Sequence, residues 1–209
     1  MVLLSTHEAV VWWEFHHGKT TAEIASEYEI KKLAPDHILE VFNESDSDAE
    51  RKRVQEKIEL SDPAYVSRVL NRARKKIEKA LRSHASSHRL DIESVQDYKG
   101  LLIGFDYQAG AQVYIVYTIR LGTIVWYKHD SYSGLLCDGT PIGNGKVSGT
   151  KKQCPKFNEC RHTLDTILKE YNLEEKLRPD EEQLYMTQQS IAIFNKLAAK
   201  EIPRYKRSE

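Results

Sequence analysis

Two groups of side chains have types and spacings suited to chemistry. Cys154-Pro155-x-x-x-x-Cys160-x-His162, with Cys137 upstream in a glycine-rich stretch, offers three thiols and one imidazole. Such a set matches a structural zinc site in ligand type and number, which makes zinc the candidate cofactor. Five residues separate Cys154 from Cys160 and sixteen separate Cys137 from Cys154. Zinc knuckles usually pair cysteines across about two to four residues, so the competing reading is three small, reduced, partly buried thiols. The second group is basic. Residues 63 to 89 hold eight Lys or Arg and one acid, Glu78, whereas Glu40 to Glu50 hold five acids and no base. One segment is therefore polarised toward an anionic partner.

The remaining polar candidates lead to weaker chemistry. His16-His17 and the His84, His88 pair read as surface residues. His129-Asp130, beside Tyr127 and Tyr132, has no nucleophile motif, phosphate loop or carboxylate pair with it. The chain is accordingly not expected to be an enzyme.

Helical spacing organises the basic segment. Val66, Leu70, Ala73, Ile77 and Leu81 fall in one apolar stripe spaced by three and four residues. Arg68, Arg72, Lys75, Lys79 and Arg82 repeat that spacing, offset by two residues, on the opposite side. The first stripe packs inward and the second meets solvent or phosphate. A solvated surface helix explains such a stripe too, but Glu78 is the one acid within the helix able to pair with it.

The elements that must position these residues follow from local signals. A short helix with Val10, Val11, Trp13 and Phe15 is expected to stop near Gly18, and Thr20 with Glu23 forms a capping box for a second. Pro35 opens a third, containing Ile38, Leu39, Val41 and Phe42. Ser61 or Asp62 caps a long helix that has Pro63 at its first position. From Leu90 the character changes. Leu101 to Phe105, Gln112 to Ile119 and Thr123 to Tyr127 read as a β-meander whose aromatic residues Tyr107, Tyr114, Tyr117, Trp126 and Tyr127 alternate with aliphatic ones. Ser131 to Gly149 read as loop, and helices resume at about 160–171 and 181–200. The expected fold class is α+β: an N-terminal all-helical domain, 1–89, then a C-terminal domain, 90–209, with an antiparallel sheet and flanking helices.

Composition narrows the setting. The chain has 209 residues, 40% hydrophobic and 30% charged, with no net charge, which argues against a protein that coats nucleic acid indiscriminately. No apolar run is long enough to span a membrane, and the start turns polar too early for a signal peptide, so a cytoplasmic location without membrane partners is expected.

Gly18-Lys19-Thr20-Thr21-Ala22-Glu23-Ile24-Ala25-Ser26-Glu27-Tyr28 resembles the end of the first helix and the second helix of the helix-turn-helix in sigma-factor region four and related regulators. Val66-Ser67-Arg68-Val69-Leu70-Asn71-Arg72-Ala73-Arg74-Lys75-Lys76-Ile77 resembles their recognition helix. The two halves occur in the family's order. The interval departs from the pattern, because about thirty residues, Lys31 to Leu60, stand where the family has a tight turn. Those residues must form a compact excursion that returns the chain to the same place. The alternative has Leu33 to Phe42 as the third helix and the basic helix as a dimerisation or linker element.

The resemblance implies a sequence-specific transcription regulator that binds double-stranded DNA as a homodimer, with a C-terminal domain for sensing an unidentified effector or for dimerisation. Its DNA-binding residues would be Thr21, Ser61, Tyr65, Ser67, Arg68, Asn71, Arg72, Arg74, Lys75 and Lys79. The rival readings are a nuclease or recombinase that holds its substrate with the basic helix, and an interaction protein that binds RNA or an acidic partner.

Overall fold

Ser5 and Thr20 start helices by the same device, because each stands three residues before a glutamate. In α1 (Thr6–His16) the Ser5 hydroxyl accepts from the Glu8 N–H at 3.4 Å, and the Glu8 carboxylate accepts from the Ser5 N–H at 2.8 Å. In α2 (Thr21–Lys31) the corresponding distances for Thr20 and Glu23 are 3.3 and 2.7 Å. Each pair satisfies two N–H groups that the helix itself leaves unbonded. Helix α3 (Asp36–Asn43) follows Pro35. Helix α4 (Pro63–Ser87) begins where the Asp62 carboxylate accepts from Ala64 N–H at 2.9 Å and Tyr65 N–H at 3.2 Å. Pro63 lies where a missing N–H breaks no helical bond. The computed structural model describes residues 3–43, 58–127, 157–173 and 186–199.

The second half is a meander of β1 (Asp91–Gln96), β2 (Leu101–Asp106), β3 (Ala111–Thr118) and β4 (Gly122–Tyr127), antiparallel throughout and hydrogen-bonded in chain order. A 3-10 turn, Asp97–Lys99, joins β1 to β2. Alternation along the strands divides their side chains between two cores. Leu102, Val113, Ile115, Tyr117, Val125 and Tyr127 face the helical bundle. Leu101, Ile103, Tyr114, Val116, Ile124 and Trp126 face α5 (Phe157–Glu170) and α6 (Met186–Ala198), where they meet Leu164, Leu168, Ile193 and Phe194. Helices cover both faces of the sheet, and the architecture is α+β, as the residue pattern implies.

Helix α4 holds the bundle and the sheet together. It packs on α1, on α2 and on all four strands. Its buried stripe comprises Val66, Val69, Leu70, Ala73, Ile77, Leu81 and Ala85, the expected stripe plus two positions. The first core accordingly runs from the helices onto the sheet across residue 90.

The excursion between α2 and α4 closes where it opens. Lys32 ends α2 in the left-handed region, with φ 52°, and its carbonyl accepts from the Ile58 N–H at 2.9 Å. Ile58 and Leu60 are fully buried in the bundle core. The chain thus returns to the end of α2 before α4 begins, as the spacing requires.

Gly100, after the 3-10 turn, sits where three elements converge. Its φ is +62°, and a Cβ there would stand 2.4 Å from Tyr171 Oη and 2.9 Å from Trp12 Cζ2. The Tyr171 hydroxyl donates to the Tyr117 carbonyl at 2.6 Å, and the Tyr117 N–H donates to the Gly100 carbonyl at 2.8 Å. Beside it the buried Lys99 ammonium donates to the carbonyls of Leu197, at 3.0 Å, and Ala199, capping the C-terminal end of α6 with positive charge.

A candidate nucleic-acid interface

Of the ten residues expected to contact DNA, eight lie on α4 and Ser61 just before its cap, and the helix sorts them by face. Arg68, Asn71, Arg72, Lys75 and Lys79 are exposed, Ser67 and Tyr65 are half-buried, and Ser61 is exposed beside the cap. Tyr65 supports two of them, with Arg68 Cζ 5.8 Å and Arg72 Cζ 6.0 Å from its ring centre. Arg68 also lies 3.7 Å from Asp62 across a solvent-exposed gap, a contact that contributes little. The Asp62 carboxylate occupies the first free N–H groups of α4, so those amides are not available to a phosphate.

Arg74 is placed differently from its neighbours. Its Cζ stands 5.0 Å over the Phe15 ring, and its Nε is buried without a hydrogen-bond partner. Burial pulls its guanidinium pKa below the usual range, with Asp97 opposing. It belongs to the contact between α4 and α1. Lys76 does too, donating at 2.6 Å to the buried Glu8. Arg82 pairs with Glu78 at 2.8 Å along the helix. Arg72, Lys75 and Lys79 remain, exposed and without an ion pair among the described residues. They span seven positions, about 10 Å of helix axis, comparable to about three base steps along one DNA strand.

Thr21 stands apart from this ridge, half-buried in the first turn of α2 beside the exposed Glu23. Exposed Glu29 lies further along the same helix and exposed Lys32 caps it, so the solvent face of α2 is of mixed charge. Helix α2 nevertheless packs directly on α4. A buried polar cluster fixes it in place: the Tyr28 hydroxyl donates to Glu14 at 2.8 Å, and Lys19 bridges Glu14, at 2.8 Å, and Glu27. Burial, reinforced by the Glu14 carboxylate, raises the Tyr28 pKa and keeps that hydroxyl a donor. Nothing in the spacing of these residues marks them as partners, because Glu14 and Tyr28 meet only once α1 and α2 have crossed.

The histidine pair in α1 is not a surface pair. His16 is enclosed by Trp12, Phe15 and Tyr171, at centroid distances of 4.2, 5.6 and 4.7 Å, and its Nε2 has no partner. Burial, with His17, Arg74 and Lys99 nearby, lowers its pKa to about 3. The apolar spacing of α1 selects Trp13, yet Trp12 is the tryptophan buried in the core.

Of the proposed zinc ligands, Cys137 and Cys154 lie outside the described residues. Cys160 packs toward the second core, while His162, two positions on and thus nearly opposite around α5, is exposed at the rim of a cleft. Among the described residues no group of three or more His, Cys, Asp or Glu side chains is placed to hold a metal ion. His129-Asp130 and Ser131 to Gly149 also lie outside the described residues. No described helix is long and apolar enough to cross a membrane.

No family model, curated protein or solved structure matches this chain. The helices around α4 are an N-terminal helical bundle, and any finer assignment rests on the residues that bundle presents.

Proposed function

We propose that this protein is a sequence-specific DNA-binding transcription regulator whose exposed α4 ridge enters the major groove. The sheet with α5 and α6 serves sensing or dimerisation. One observation carries the reading: Arg72, Lys75 and Lys79 stand exposed and without an ion pair among the described residues, on a helix whose other face is locked against α1 and α2. Unpaired cations on a rigid support lose little conformational freedom on meeting phosphates, and each phosphate neutralised releases counterions. Arg68, Arg72 and Asn71 have the side chains for bidentate contact with guanine or adenine edges. A homodimer presents two such ridges to a palindromic site.

The test is duplex DNA selected from a random pool on the purified protein, followed by anisotropy titrations over a range of salt. Binding is expected to be selective, without strand cleavage, and steeply salt-dependent. Replacing Arg72, Lys75 and Lys79 together by Ala should reduce the slope of log K against log salt by up to about 3, roughly 0.9 per phosphate contact. Wild-type affinity in Arg68→Ala and Arg72→Ala, or stronger binding to single-stranded RNA than to duplex, would remove the assignment.

A further inference from the structure

A cleft of about 240 Å³ opens where α1 and α3 meet α5 and the β3–β4 turn. It lies below the roughly 300–1,000 Å³ that drug-sized ligands occupy, and so suits a body of about ten non-hydrogen atoms. One wall is apolar, built from Trp13, Ile38, Val41 and Ile119. The Trp13 indole is already part of a stack, with the His37 and His17 rings 4.0 and 4.2 Å away.

Besides His37, which stacks on Trp13, the titratable groups lining the cleft are Arg120, His162, Asp165, Lys169 and Glu170, and their partners decide what the cleft can hold. The Glu170 carboxylate is engaged by the N–H groups of Ile119, at 2.6 Å, and Arg120, at 3.0 Å, and is buried. Asp165 lies 3.6 Å from Arg161 of the same helix. Glu170 is therefore engaged within the protein, while Asp165 leans toward Arg161 on the solvent side of α5. Lys169 is exposed and has no ion pair among the described residues, whereas the Arg120 charge already acts on Glu170.

We propose that this cleft binds a small organic carboxylate with a flat apolar body, the carboxylate against Lys169 and the body against Trp13 and Ile119. Positive charge on one side and an indole with aliphatic side chains on the other fit such a molecule better than inorganic phosphate, which would leave the apolar wall wet, or a neutral arene, which would leave Lys169 unmatched. The proposal does not rest on DNA binding, because the ligand contacts lie on α1, α3, α5 and the β3–β4 turn and not on α4.

The experiment titrates the full chain separately with benzoate, phenylacetate and indole-3-acetate while following the tryptophan indole N–H resonances, with Trp13→Phe to assign the signal. At least one of these probes should shift the Trp13 resonance saturably at millimolar concentration and raise the melting temperature. Benzamide and inorganic phosphate should bind at least tenfold more weakly than the best carboxylate. Lys169→Glu should weaken that carboxylate at least tenfold while leaving the unfolding midpoint of the free protein unchanged. The proposal is overturned if none of the three carboxylates gives a saturable shift, if benzamide or phosphate matches the best of them, or if Lys169→Glu binds as the parent does.

Discussion

Replacing Gly100 by Ala should be among the most damaging single-methyl changes in this protein. The backbone there has φ +62°, and an L-residue in that region costs about 1–2 kcal/mol. The new Cβ would lie 2.4 Å from Tyr171 Oη and 2.9 Å from Trp12 Cζ2, inside contact distance of a phenol and an indole that are both buried. Forcing an added methyl into a packed core costs about 1–3 kcal/mol. Displacing the Tyr171 hydroxyl from the Tyr117 carbonyl, now 2.6 Å away, forfeits a buried hydrogen bond of about 1 kcal/mol. Together these come to roughly 3–6 kcal/mol, a large share of the about 5–15 kcal/mol by which domains are stable. Gly110→Ala is the matched control, since Gly110 has the same φ of +62° and nothing within 4 Å of its would-be Cβ. It should show the backbone cost alone, about 1–2 kcal/mol. Urea unfolding followed by tryptophan fluorescence and circular dichroism measures both. If Gly100→Ala is no more destabilising than Gly110→Ala, the convergence of α1, the β1–β2 turn and α5 on that glycine is wrong.

Buried Glu170 and enclosed His16 give stability opposite dependences on pH. Burial raises the Glu170 pKa to about 7 despite its two backbone donors, so the folded state keeps a proton that the unfolded state has released, and stability falls as pH rises from about 4.5 to 7. Glu170→Gln should remove a slope worth about 3 kcal/mol over that window in denaturant titrations. His16 is the reverse case: its folded pKa of about 3 lies below the unfolded 6.5, so stability is lost as pH falls from about 6.5 toward 3. His16→Phe should flatten that acid limb, and an unchanged acid limb would place His16 in solvent. Thr20→Ala removes the side-chain half of the α2 capping box and should cost about 1 kcal/mol in thermal unfolding. Light scattering should give twice the chain mass if the protein is the proposed homodimer, and the single-chain mass at DNA-binding concentrations would refute that state.

Much of the scaffold was legible because its signals are local. The Thr20–Glu23 box, Pro63 after a capping acid, and strands β2 to β4 all announce themselves over a few residues. β1 did not, since Asp91–Gln96 is an edge strand whose first half is exposed, leaving no apolar alternation to read. The two faces of α4 were legible from spacing, but the division of its cations was not. Arg74 and Lys76 occupy positions as basic as their neighbours, yet Phe15 and Glu8 take them up, and those partners lie about sixty residues away in sequence. The cleft beside Trp13 was illegible for the same reason, because its walls come from four separate stretches of chain.

Helix α4 has 25 residues, about 37 Å of axis, with no glycine and no proline after its first position. It is seated on two helices at one side and on every strand of the sheet. Such a beam has no internal joint, so the exposed ridge along it cannot swivel while the helices and strands packed on it stay still. Under the proposed function, any signal that alters what the exposed ridge touches must therefore act on the posture of the whole body, by changing how the two copies of the proposed dimer are spaced or how the ridge approaches DNA.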